Sequence, residues 1–284
     1  MTEQPVYASD YQPQHISLVR STCLTVSTFL GDLLDDMVIV GGLVPGLLIP
    51  QERLPDGTDQ HVGTRDLDLG FSLGLLEGSR YQEIAERLTS AGFRPDVNDD
   101  GNVTLQRWIQ KEYLGVTIDF LIPRSNPGDE GGTIFKLEHN FGAIISPGLQ
   151  LAFRDQEIVA LSGQTLLGGA TTRNVRVCGP GAYVVLKALA FDGRGKYKDA
   201  YDLYYVVRNF NGGPEDVAAH LIPLLGNIES TQAIEVLQRD FTDPGSVGPR
   251  RVAEFLYRRA DDNTQADVAG FVSQLLSLSG AQAV

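Results

Sequence analysis

At Gly179-Pro180-Gly181 the chain changes period. Before that point, short strand-like and helix-like runs alternate between Gly, Pro and Asp turns. After it, apolar residues recur at helical spacing to the end. Strands repeat every two residues and helices every 3.6, so one stretch cannot serve both. The expected fold is therefore α/β (α+β): a mixed sheet with flanking helices over 1–178, and a helical domain over 179–284. Helices are expected near 181–192, 197–209, 214–225, 230–239, 249–260 and 265–278. In the first region, residues 15–36 read as an amphipathic helix, 37–40 as a short apolar strand and 51–63 as a polar loop. A strand follows at about 64–73 and a helix at 78–91. Residues 103–109 and 113–122 read as a hairpin turning at Lys111-Glu112. A Gly/Pro/Asp loop spans 124–133, and two or three short strands are expected between 149 and 178.

The strand at 64–73 carries the sharpest chemical signal. It reads Thr64-Arg65-Asp66-Leu67-Asp68-Leu69. Side chains alternate along a strand, so Asp66 and Asp68 share one face while Leu67 and Leu69 point to a core. Two carboxylates on one face repel unless a cation lies between them. Oxygen ligands of this kind suit Mg²⁺, with Mn²⁺ as the alternative. Asp119, between Ile118 and Phe120, is a third carboxylate at a mid-strand position. Three acids on neighbouring strands can hold two metal ions for phosphoryl or nucleotidyl transfer. The plainer alternatives are a solvent-facing strand for the pair and an edge-strand acid for Asp119.

Two further features bear on the same chemistry. Gly41-Gly42 follows the strand at 37–40, where a bare backbone can approach a phosphate; a tight strand-to-helix turn is the alternative. The dinucleotide-binding spacing G-x-G-x-x-G is absent. Lys187 is the sole charge in Ala182-Tyr-Val-Val-Leu-Lys-Ala-Leu-Ala-Phe191. A lysine there either reaches out to solvent or meets an anion. Asp202, among Leu203, Tyr205 and Val206, is its best-placed partner, with Asp199 nearby. Such an ion pair orients two helices, and a nucleotide phosphate can add to it.

Composition narrows the classes. A net charge of −13 argues against a general nucleic-acid coat, since phosphate contacts need Lys and Arg. A local basic patch remains open at Arg173/Arg176, Lys196/Lys198, Arg250-Arg251 or Arg258-Arg259. No apolar run approaches the roughly 20 residues of a membrane span, and Met1–Gln14 carries no apolar signal core. Cys23 and Cys178 match no metal spacing, and reduced thiols suit a cytoplasmic protein.

Taken together, Val40-Gly41-Gly42, Thr64-Arg65-Asp66-Leu67-Asp68-Leu69, Lys187 and Lys198-Asp199-Ala200-Tyr201-Asp202-Leu203 resemble the AbiEii/MenT-type nucleotidyltransferases. These are toxin components of bacterial toxin–antitoxin systems in the polymerase-β-like superfamily, and the likeness runs from about 37 to 210. It implies a nucleotidyltransferase-like domain whose site lies in the cleft beside the helical domain. It also implies metal binding by Asp66 and Asp68 and active-site roles for Lys187 and Asp202, while the position of Asp119 leads us to expect it to assist at the second metal. Nucleotide contacts are expected from Gly41, Gly42, Thr64, Arg65 and Lys187. The substrates implied are an NTP and an acceptor hydroxyl, on RNA such as a tRNA 3′ end, with an antitoxin protein as partner. Transfer to a small molecule or a protein hydroxyl is the first alternative. A non-catalytic nucleotide-binding or interaction module on the same fold is the second.

Overall fold

A computed structural model describes residues 5–55, 57–72, 78–110, 112, 116–126 and 128–281. The chain divides into two compact units, neither continuous in sequence. One comprises residues 13–47 and 63–178, and the other 1–12, 48–62 and 179–284.

The first unit is built on a mixed sheet. Helix α1 (Pro13–Leu30) opens on proline, where the missing N–H costs nothing. It ends before residue 36 because Gly31 takes a left-handed φ of 56° and a 3₁₀ stretch, Gly31–Asp36, follows. Strand β1 (Met37–Val40) is buried throughout. A 3₁₀ turn, Gly41–Leu43, leads into the short helix α2 (Val44–Leu48). Strand β2 (Asp66–Phe71) follows the loop, and its expected end at 73 lies outside the described residues. Helix α3 (Gly78–Ser90) buries Tyr81, Ile84, Ala85 and Leu88 on one face, as its period requires. Strand β3 (Arg94–Val97) precedes β4 (Val103–Ile109) and β5 (Thr117–Ile122). The last two form the expected antiparallel pair, although Lys111 and Tyr113, at its turn, lie outside the described residues. Strands β6 (Ile134–Glu138) and β7 (Phe141–Ile145) were not anticipated. The stretch 149–178 holds a 3₁₀ turn and two nine-residue strands, β8 (Gln156–Gln164) and β9 (Ala170–Cys178).

The strand order is β3-β4-β5-β2-β1-β9-β8, with β7 against β5 and β6 against β7. Strand β2 is central: antiparallel to β1 with Val40 opposite Asp68, and parallel to β5 with Asp68 beside Asp119. Its apolar face joins a buried aromatic cluster of Phe71, Tyr81, Trp108, Phe120 and Phe141, with ring centroids 4.9–6.1 Å apart. Each such side chain contributes roughly 1.5–3 kcal/mol on burial. The cluster therefore fixes which face of β2 is left for the aspartates.

The second unit is helical: α4 (Pro180–Arg194), α5 (Tyr197–Asn209), α6 (Pro214–Leu221), α7 (Ile228–Phe241), α8 (Val247–Tyr257) and α9 (Asp262–Leu278). Helices α7 and α9 carry side-chain N-caps from Asn227 and Asp261. Gly181 lets α4 approach α6 closely, since a Cβ there would lie 2.5 Å from the His220 backbone. No helix among the described residues is long and apolar enough to cross a membrane.

Candidate active site

The alternation of β2 places Asp66 and Asp68 on its half-exposed face while Leu67 and Leu69 are buried. The register adds Thr117 and Asp119 from β5 and Arg107 from β4 to the same face. Asp66 pairs with Thr117, Asp68 with Asp119, and Asp119 with Arg107. The Thr117 hydroxyl donates to Asp66 Oδ1 at 2.6 Å. Thr64 Oγ1 accepts from the Asp66 N–H at 3.3 Å, so Thr64 shapes the strand's start. Arg65 is half-buried just before the strand.

Gly41 makes room inside the site. Its φ is +71°, and a Cβ built there would lie 1.9 Å from Asp68 Oδ2. The missing side chain makes room for the Asp68 carboxylate. Gly42 is buried in the 3₁₀ turn that follows.

Arg107 grips Asp119 with a fork: Nε to Oδ1 and Nη2 to Oδ2, both at 2.7 Å. Burial pushes the Asp119 carboxyl above the usual range, with Asp66 and Asp96 adding to it, and the Arg107 guanidinium pulls it back. Two N–H donors on two carboxylate oxygens leave no room for a carboxyl proton between them, so the pair is ionic. The bonds to Asp119 in turn raise the Arg107 pKa, with Asp66 and Asp68 contributing through space. Three carboxylates share this face, and Arg107 binds one of them, Asp119. A hard divalent cation suits such all-oxygen donors. Among the described residues, no three His, Cys, Asp or Glu side chains converge to hold a metal. Asp66 and Asp68 would thus supply two ligands. Mg²⁺ commonly takes one or two carboxylates and fills its shell with water and phosphate oxygens.

In the helical unit Lys187, the sole charge of the 182–191 stretch of α4, finds its partner. Lys187 Nζ donates to Asp202 Oδ2 at 2.7 Å and to Asp199 Oδ1 at 3.0 Å. Asp202 is fully buried and also accepts from Lys198 at 2.6 Å and His61 Nε2 at 2.8 Å. Arg194 clamps Asp199 through Nε and Nη2 at 2.7 and 2.8 Å. Burial alone would depress the Lys187 ammonium, but Asp202 and Asp199 outweigh it and hold its pKa above the ordinary value. Lys198 is depressed, chiefly by burial. Burial opposes the ionisation of Asp202, yet Lys187, Lys198 and His61 keep its pKa well below the carboxylate range. Burial pushes His61 down to about 4. It is therefore neutral at pH 7, and its Nε2–H donates to the Asp202 carboxylate.

Sequence reasoning missed His61, the Lys198 and Arg194 contacts, and Arg107. His61 lies in a loop without period. The loop is tied to α5: His61 stacks on Tyr201 at 5.3 Å, Val62 N–H donates to the Tyr201 hydroxyl, and the Tyr205 hydroxyl lies 3.2 Å from Gln51 Oε1 and the Asp59 carbonyl.

Residues 59–283 match the family described as nucleotidyl transferase AbiEii toxin, type IV TA system. The chain belongs to the AbiEii nucleotidyltransferase toxin family. It is a nucleotidyltransferase, and membership implies an NTP donor and an antitoxin partner. The matched span holds Asp66, Asp68, Asp119, Lys187 and Asp202 and starts after Gly41-Gly42. Among solved structures, an antigenic nucleotidyltransferase-like protein from Paracoccidioides brasiliensis is 16% identical to this AbiEii-family chain. That alignment covers 95% of this chain and 92% of that one, at a TM-score of 0.42. Comparison with curated proteins returns no match.

Proposed function

We propose that this AbiEii-family enzyme transfers NMP from an NTP to a hydroxyl of RNA, such as a tRNA 3′ end, with Mg²⁺ held by Asp66 and Asp68. The observation that carries the reading is the Asp66/Asp68 pair on one open face of β2, with Asp68 seated in the space that Gly41 leaves. The acceptor oxygen attacks the α-phosphorus as the bond to the β-phosphate oxygen breaks. Pyrophosphate leaves and the hydroxyl proton passes to solvent. When bound, the metal neutralises charge on the transferring phosphate. Asp66 is oriented by Thr117, and Asp68 by the close backbone of Gly41. Lys187 is proposed to add positive charge toward the triphosphate, with Asp202 holding its ammonium in place. Transfer of this type rests on positioning and electrostatics. We assign the enzyme to the cytoplasm.

The test is incubation with each labelled NTP, Mg²⁺ and total RNA, followed by a gel. A labelled RNA band is expected with at least one NTP. A label that appears only on protein or on small molecules would favour the other acceptors, which the charge of −13 makes the second reading. No label anywhere, and no nucleotide-induced shift in melting temperature with Mg²⁺, would leave a non-catalytic module.

A further inference from the structure

Asp119 and Arg107 stand directly opposite each other on β5 and β4, in the row that also holds Asp68. Their exposure is unequal. Asp119 is 5% exposed, whereas the Arg107 side chain is 37% exposed. The buried partner is thus the carboxylate, and the guanidinium is the group that meets solvent. The fork uses Nε and Nη2. Arg107 Nη1 has no protein hydrogen-bond partner among the described residues, so it retains its N–H donors on the same face as the Asp66/Asp68 pair. A guanidinium fixed on one edge by a buried carboxylate, with its other edge open, is preorganised for a phosphate. For Asp119 to ligate a metal instead, both charge-assisted bonds would have to break and Arg107 would lose its anchor.

We propose that Arg107 binds the β- and γ-phosphates of the NTP and that Asp119 is its positioning residue rather than a ligand of the metal. The inference rests on the nucleotidyltransferase reading of this face and assigns a residue that the reading had left out. It also explains why an acid lies mid-strand with its pKa raised by burial yet remains ionic: its counter-charge is supplied by the protein. Asp66 and Asp68 remain the oxygen donors suited to a divalent cation, and the polyphosphate tail has a cation of its own.

The experiment titrates purified protein with Mn²⁺ alone and with NTP and NMP in the presence of Mg²⁺. It compares wild type, Asp68→Asn, Asp119→Asn and the double variant Arg107→Gln/Asp119→Asn. The double variant replaces the ion pair by two neutral amides of similar shape, so no buried charge is stranded. Arg107→Lys, which keeps a single cation against Asp119, serves as a second route should the double variant fail to fold. The expected result is Mn²⁺ affinity within about twofold of wild type in every variant except Asp68→Asn. NTP affinity should fall about tenfold or more in the Arg107 variants, the size of one charge-assisted hydrogen bond to a phosphate, while NMP affinity is unchanged. Loss of Mn²⁺ binding in Asp119→Asn, equal to that in Asp68→Asn, would make Asp119 a metal ligand and overturn the inference. Unchanged NTP affinity in the Arg107 variants, when wild type binds both probes, overturns it alone. Wild-type protein that binds neither Mn²⁺ nor any NTP overturns the site reading and this inference with it.

Discussion

Substituting Gly41 by alanine tests the geometry of the site without touching a charged group. The new Cβ would sit 1.9 Å from Asp68 Oδ2 and 2.7 Å from Asp68 Cγ, distances at which atoms cannot coexist. The backbone is held on both sides by the β1–β2 ladder, where Val40 faces Asp68, so the Asp68 carboxylate has to rotate away. Alanine must also adopt φ near +71°, which costs a non-glycine residue roughly 1–2 kcal/mol. The fold should survive with that loss of stability. The site should lose one carboxylate, and nucleotide transfer should fall by about two to three orders of magnitude, or about 3–4 kcal/mol of barrier. Single-turnover NTP consumption and Mn²⁺ titration on Gly41→Ala, beside Asp68→Asn, measure both effects. In an Asp68→Ala background the overlap with the carboxylate no longer exists, so adding Gly41→Ala should cost only the backbone term and the small shift that relieves a 3.0 Å approach to the remaining Cβ at 68. Metal binding and turnover within about twofold of wild type in Gly41→Ala would refute the idea that this close approach seats Asp68.

Other expectations follow from the same geometry. Asp66→Asn or Asp68→Asn should abolish transfer and leave the melting curve nearly unchanged; near-normal turnover at saturating Mg²⁺ would exclude the assignment. Lys187→Ala should destabilise by about 3–5 kcal/mol, because Asp202 and Asp199 lose a buried partner, and Lys187→Arg should not restore activity because the guanidinium fork is larger. A denaturant series with both variants checks the first point, and a stable, active Lys187→Ala protein would show that the pair is dispensable. His61 has a folded pKa of about 4 against an ordinary 6.5, so its contribution is full above pH ~6.5 and drains as pH falls toward 4, where the unfolded chain binds a proton that the folded chain refuses. Between pH 7 and pH 5 this amounts to about 2 kcal/mol. Urea curves at the two pH values should show the loss in wild type and not in His61→Gln, and equal pH dependence in both would contradict it.

What could be read in advance follows the range of the interactions. The alternation Asp66-Leu67-Asp68-Leu69 is local, so it revealed both the strand and the half-exposed face that its two aspartates share. Helices α4 to α9 were legible from their period, as was the partner of Lys187, since a lone charge in an apolar helix must be answered nearby. Strands β6 and β7 have five residues each and lack alternation: Phe141-Gly142-Ala143-Ile144-Ile145 is a continuous apolar run that fits a buried strand or a helix equally well. Arg107 was hidden for another reason. A hairpin turning at Lys111-Glu112 would set it opposite Val116, whereas the register sets it opposite Asp119. A three-residue error in a loop was enough to conceal the cation that neutralises the third carboxylate. Gly41 was recognised as a close approach, but which group approached it depended on the pairing of β1 with β2.

The helical unit shows how a burial pattern can carry two meanings at once. Lys187, Lys198 and Arg194 bring three positive charges to Asp199 and Asp202, and His61 adds a neutral donor. Each unbalanced ion in a dry interior is costly. The Arg194 side chain is 52% exposed, so its charge is partly screened by water. Lys187, at 7% exposure, depends on its carboxylate partners. Its ammonium has two carboxylate partners, leaving one N–H for a third acceptor. An anionic group that took that position would meet a cation already fixed in place by Asp202, itself held by Lys198 and His61. Loss of His61, which carries no charge at pH 7, should therefore still loosen the seat of Asp202 and with it that of Lys187.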